Sequence, residues 1–173
     1  MLKPKIQDAL NEHLNEELFS AYLYMSMAAY FEAKNLSGMA QWMKTQVQEE
    51  LMHGVKFFDF VHDRGGQAIL AEIAAPKANW DSPLNAFEEA YAHECHISSR
   101  INKLIDLAIA ESDHALNTFL QWFVNEQVEE EATVEAIVDK LRMVGDNGVA
   151  MFMLDGELGK RTTIRLFISV HFV

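Results

Sequence analysis

The chain has a single cysteine, Cys95, among 173 residues. That scarcity excludes an intrachain disulfide framework, a thiolate zinc site and a CxxC redox pair, and it suits a reducing compartment, so a cytoplasmic protein is expected. Basic residues are also in short supply. The 14 Lys plus Arg stand against 26 Asp plus Glu, a formal net charge of -12, which repels nucleic acid and anionic membranes and favours cations. No uninterrupted apolar run approaches the roughly 18 residues of a membrane span, and Met1 to Asp8 lack the apolar stretch of a secretory leader. Neither a nucleic-acid nor a membrane partner is expected; metal ions suit this charge.

Proline and glycine are few, three and eight, and they fall between long periodic segments, the punctuation of an all-helical chain. Four long helices are predicted, at about 4–34, 38–64, 83–111 and 114–144, with a short fifth at 149–158. Pro4 suits a first turn, Ser37 reads as an N-cap, Ser82–Pro83 as an N-cap and N1 pair, and Ser112–Asp113 as a turn and cap. Gly65–Gly66 and Gly145–Gly148 end the second and fourth helices. The linker between the second and third helices holds about 18 residues, at up to ~3.3 Å each. It can span the ~40 Å length of the second helix. The expected fold is therefore a four-helix bundle with short AB and CD turns, a long BC crossover and a fifth C-terminal helix. Residues 1–159 form its domain, and 160–173 an apolar, β-prone tail of unknown role.

Bundle cores repeat apolar residues at spacings of three and four, and the interruptions of that seam are informative. Along the first helix it runs Leu10, Leu14, Glu17, Ala21, Tyr24, and along the second Met43, Gln46, Glu50, His53, Phe57. The third reads Leu84, Phe87, Tyr91, Glu94, Ser98, Ile101, Ile105, Ala108, and the fourth Leu120, Phe123, Gln127, Glu130, Val134. Glu17, Glu50, Glu94 and Glu130 come to within about a turn of one height when counted from the two short turns. Buried carboxylates without partners are very costly, and the seams carry no Lys or Arg. Two divalent cations would cancel the four charges. Oxygen-rich ligation with one imidazole suits iron or manganese, and Glu50 with His53 at i, i+3 is the Glu-x-x-His element of carboxylate-bridged di-iron bundles, with Glu50 the natural bridge.

Several strings, Asn15–Leu18, Gln48–His53, Tyr91–Glu94 and Phe119–Phe123 through Glu126–Glu130, resemble the ferroxidase segments of bacterial non-haem ferritins. The resemblance runs from Met1 to about Gly159. It implies a cage of 24 subunits that oxidises Fe(II) to Fe(III) with dioxygen or peroxide and stores ferric mineral inside. Carried over residue by residue, Glu17, Glu50 and His53 hold one iron, and Glu50, Glu94 and Glu130 the other, with Gln127 beside it. A third iron site falls on Glu49, Glu126, Glu129 and the shared Glu130, and Tyr24 matches a tyrosine near the pair. Without the resemblance, Glu49, Glu126 and Glu129 read as a solvated acidic face.

The family's haem-binding relatives place a methionine directly after the glutamate of Glu-x-x-His; here Leu51 stands there, and no haem is expected. Symmetric di-iron enzymes carry a second Glu-x-x-His where this chain has Gln127-x-x-Glu130. A looser second site suits release of ferric ion to a store. The alternative is a small di-iron oxidase or oxygenase acting on an organic substrate. Trp122 reads as a packing aromatic rather than a site residue, His93 and His96 as surface or interface histidines, and the nine methionines as core filler.

Overall fold

The computed structural model describes residues 2–162. Among them there are five α-helices and no strand: α1 (Pro4–Ala33), α2 (Ser37–Asp63), α3 (Pro83–Ala110), α4 (His114–Val144) and α5 (Gly148–Leu158). The helices agree with the sequence expectation to within a residue or so at each end. The tail is outside the description from residue 163 onward.

α1 and α2 pair through the short turn at 34–36, α3 and α4 through that at 111–113, and α1 meets α3 across the bundle. The crossover at 64–82 lies along α1, held by its polar face. Asn11 Nδ2 donates to the Gln67 carbonyl at 3.1 Å, Asn15 Nδ2 to that of Glu72 at 3.3 Å and Ser26 Oγ to that of Lys77 at 2.7 Å. Both strings ascend together, so the linker travels the length of the bundle and α2 and α3 run parallel.

The helix ends have local causes. Ser82 Oγ accepts from Asn85 N and Asp113 Oδ1 from Leu116 N, as the sequence predicts for α3 and α4. Asp113 also takes a two-pronged ion pair from Arg64 at 2.9 and 3.0 Å, tying the end of α2 to the start of α4. Ser37 does not cap α2: it is the first helical residue, and the N-cap position, Leu36, has no side-chain acceptor. The acceptor comes from α5 instead. Asp155 takes the N–H of Gly38 at 3.1 Å and of Met39 at 2.8 Å. A Cβ on Gly38 would lie 1.7 Å from the Asp155 carbonyl oxygen, so glycine is what allows α5 to approach closely enough to supply the cap.

The expected seams of α1, α2 and α4 are buried over the residues that flank the acids. On α3 the buried stripe is rotated: Ala90, Ile97 and Leu104 face the core, while Tyr91, Ser98 and Ile105 are half-exposed. An inward stripe wider than a strict three-four seam admits either set, and Tyr91 and Ser98 line an open groove with Val124, Val128 and Glu131 of α4.

The apolar core is in two clusters. One holds Leu10, Leu14, Phe57, Ile97, Ile101 and Phe123, among others, and the second Tyr24, Phe31, Trp42, Met43, Phe87 and Val134, among others. Between them, in chain order, lie Glu17, Glu50 and His53, Glu94, and Gln127 and Glu130. The polar residues form a slab across the middle of the bundle.

Candidate metal centre

Each helix delivers its polar group to the slab by replacing one turn of an otherwise apolar seam. Glu17, Glu50, His53, Glu94, Gln127 and Glu130 are all buried, at 5% exposure or less. Glu17, Glu50 and His53 each offer a ligand atom within 4.8 Å of one another, and so do His53, Glu126 and Glu130. His53 Nδ1 lies 3.4 Å from Glu50 Oε2 and 3.9 Å from Glu17 Oε2, and its Nε2 lies 3.9 Å from Glu126 Oε1. The imidazole thus presents Nδ1 to two acids and Nε2 to a third.

Glu94 lies outside both triads. One of its oxygens accepts from the Tyr24 hydroxyl and the other from Gln127 Nε2 at 3.1 Å. Gln46 spans two acids, its Nε2 donating to Glu50 Oε1 at 2.7 Å and Glu130 Oε2 at 3.0 Å. Glu17 Oε1 takes a hydrogen bond from His13 Nε2 at 2.9 Å, while Glu17 Oε2 is buried with no hydrogen bond. That oxygen, facing Glu50 and His53, is a hydrogen-bond acceptor without a donor, the condition a cation relieves.

The electrostatics follow from crowding. Burial, then the Glu50 and Glu130 carboxylates, raise Glu94 well above the usual range against its bonds from Tyr24 and Gln127. Burial, then Glu50 and Glu49, push Glu130 up to about 7. For His53, burial favours the neutral ring, but Glu50, Glu17 and Glu130 together overcome it and carry the imidazole up to about 10. Burial opposes ionisation of Glu17 too, yet its bond from His13 and the charges of both histidines leave it lowered. Without metal, then, burial and crowding favour the protonated forms of Glu94, Glu130 and His53.

The sequence pattern of the ferritin-like domain matches residues 7–144. The chain is 45% identical over 161 residues to the bacterial non-heme ferritin of Bacteroides fragilis, covering 93% of this chain and all of the relative. It is 40% identical over 162 residues to that of Staphylococcus saprophyticus, covering 94% and 97%. The chain belongs to the ferritin family. A solved structure described as a novel open pore ferritin from the hyperthermophilic archaeon Archaeoglobus fulgidus superposes with a TM-score of 0.93 at 49% identity, over 94% of this chain and all of that one.

Against this ferritin fold, the third acid group is only partly assembled. Glu126 and Glu130 join His53, whereas Glu49 turns to an ion pair with Arg161, and Glu129 is exposed and outside both triads. Trp122 is 40% exposed, with its ring edge-on to His53 and Lys56 Nζ above it at 4.3 Å. His96 is at the surface as expected. His93 is half-buried: its Nε2 lies 2.7 Å from Ser20 Oγ, its ring packs beside Phe19 and Tyr24, and burial lowers it to about 4.

Three contributors were not legible as such. His13 is four residues from Glu17 on the same helical face, a spacing that signals the contact. Gln46 sits on the α2 seam, but spacing along one helix does not show that it bridges Glu50 to Glu130 of α4. Arg161 carries no periodic signal, because it lies beyond α5.

Proposed function

We propose that this ferritin stores iron by oxidising Fe(II) at the slab and passing Fe(III) to a mineral inside a cage of 24 subunits. The observation that carries the proposal is the buried set Glu17, Glu50, His53, Glu94 and Glu130, in which no lysine or arginine makes an ion pair among the described residues and one carboxylate oxygen is without a hydrogen bond. Two divalent ions displace its protons and supply the missing charge.

In this reading Glu17, Glu50 and His53 Nδ1 bind the first Fe(II), and Glu50, Glu94 and Glu130 the second. Glu50 bridges, being the carboxylate whose charge is felt at His53, Glu94 and Glu130 alike. Tyr24 and Gln127 hold Glu94 toward the pair, and His53 turns Nδ1 toward Glu50 and Glu17, the orientation that ligation through Nδ1 needs. Paired ions deliver two electrons together, as reduction of dioxygen to peroxide, or of peroxide to water, requires. Gln127 in place of a second histidine leaves the second ion less tightly held, which suits onward transfer. Glu49, Glu126, Glu129 and Glu130 then take a third ion in transit.

No helix among the described residues is long and apolar enough to cross a membrane. The scarcity of cysteine, with Cys95 free, supports a cytoplasmic location in this reading. The test is aerobic addition of Fe(II), following ferric absorbance in the wild type, His53→Ala and Glu130→Ala. Both variants should lose the fast phase; unchanged fast oxidation in both would sink the centre. Native mass and iron content of one sample test the cage and store together, and a small oligomer holding only two irons per subunit would refute storage.

A further inference from the structure

α5 ends at Leu158, and a turn at Gly159–Lys160 sends the chain back over α2. There Arg161 lies on a stripe formed by Trp42, Gln46 and Glu49, spaced four and three residues apart on one face of α2. Its guanidinium is 4.2 Å from the centre of the Trp42 ring. One arm donates to Gln46 Oε1 at 2.8 Å and the other to the Glu49 carboxylate. Exposed ion pairs hold little energy. This one is different: both side chains are about four-fifths buried, at 20% and 17% exposure, and a stacked, two-armed arginine keeps a fixed geometry that lysine cannot reproduce.

Two consequences follow for the slab. An amide presents oxygen at one end and N–H at the other. Arg161 takes the oxygen of Gln46, so the N–H groups face Glu50 and Glu130, where they are found. Glu49 is engaged in that ion pair and stands outside the group His53, Glu126 and Glu130, whose acids it must join to bind a third ion.

We propose that Arg161 is a tethered cation that occupies the third acid group through Glu49, so that a third metal ion enters only by displacing it. The proposal rests on the ferroxidase reading above. Arg161 is a positioning residue: it touches Gln46 and Glu49 and makes no hydrogen bond or ion pair to the proposed ligands of the two-metal pair. Whatever fraction of subunits has Arg161 in place is unavailable to the third ion, and the apparent affinity falls by that factor.

The experiment is anaerobic calorimetric titration of the assembled, metal-free protein with Zn(II), which does not change oxidation state. Wild type should show two tight ions per subunit and a weaker third. Arg161→Gln should bind the third roughly tenfold more tightly, with the two tight ions changed less than about threefold. Arg161→Lys should fall between, and Lys160→Gln, a neighbouring exposed cation, should match wild type. Adding Glu49→Gln to Arg161→Gln should remove the gain. A third ion of equal affinity in wild type and Arg161→Gln overturns the proposal, as does loss of the two tight ions in Arg161→Gln, which would make Arg161 a support of the pair. A wild type without two tight ions overturns the ferroxidase reading itself, a result distinct from either.

Discussion

His13 Nε2 and Glu17 Oε1 lie 2.9 Å apart, one turn along α1, each side chain 1% exposed. The bond leaves Glu17 Oε2 as the free oxygen of that carboxylate, with the imidazole braced against Phe57 at 4.5 Å between ring centres. Replacing His13 by Leu keeps the volume and removes the donor. The expected outcome is a roughly 10- to 100-fold loss of affinity at the first of the two tight sites, the usual scale for a residue that orients a ligand. His13→Gln retains an N–H at the same distance along the helix and should restore most of it. Calorimetric titration with Zn(II) distinguishes them, and wild-type affinity in His13→Leu would remove His13 from the site.

The slab also sets a pH dependence. Glu130 is raised from 4.5 to about 7 in the fold, so its contribution is fully present below 4.5 and is lost as pH rises through about 7. His53 is raised from 6.5 to about 10, so its contribution is present below 6.5 and is lost as pH rises through about 10. Both act in one direction, and Glu130 alone accounts for roughly 3 kcal/mol. The metal-free protein should therefore melt at a higher temperature at pH 5.5 than at pH 8.5, and Glu130→Gln should flatten the difference. With Zn(II) present the order should reverse, because ligands must shed protons to bind. Thermal melts with and without metal decide it; a metal-free protein that gains stability toward pH 8.5, with Glu130→Gln doing the same, would contradict the protonated slab.

Why the slab was readable in the sequence and its surroundings were not has a physical basis. Glu17, Glu50, His53 and Glu130 break an apolar period, and a break is visible in one dimension. Turn and cap residues such as Ser82 and Asp113 act on neighbours three residues away, so they too are local. Asp155 caps a helix 116 residues earlier in the chain, and Arg161 reaches back 112 residues to Glu49; no local pattern encodes either. Ser37 illustrates the cost: a good capping residue by type, it was displaced because a distant aspartate reaches the same N–H groups. Tyr91 and Ser98 show that on α3 the period alone did not fix which edge of a broad apolar stripe faces inward.

The contact of α5 with α2 is separable from the chemistry. Asp155→Ala should lower stability by about 0.5–2 kcal/mol, the range for losing a helix cap, and raise hydrogen exchange at the Gly38 and Met39 amides. Gly38→Ala should be worse, since its methyl meets backbone rather than a flexible side chain. Ferric formation in Asp155→Ala should keep its fast phase. Unaltered amide protection at both positions would show that another group caps α2.

α5 buries only Leu154 and Leu158, leaving Val149, Phe152 and Met153 exposed at 69–79% beside Met143 of α4 at 80%. A patch of this kind marks a candidate contact surface, and in the cage proposed above its expected occupant is another copy. Phe152→Arg should leave the helical circular dichroism unchanged and shift native mass toward smaller assemblies. A full-size cage from this variant would place the patch outside the contacts that matter for assembly.

The two apolar clusters on either side of the slab make the subunit resemble two short bundles joined end to end. Cooperativity between them must pass through the one cross-section that cannot be packed dry. Metal ions bound there in the proposed way would act as a weld, so a loaded subunit is expected to unfold more sharply than an empty one. How sharply this protein unfolds is then a readout of whether it carries iron.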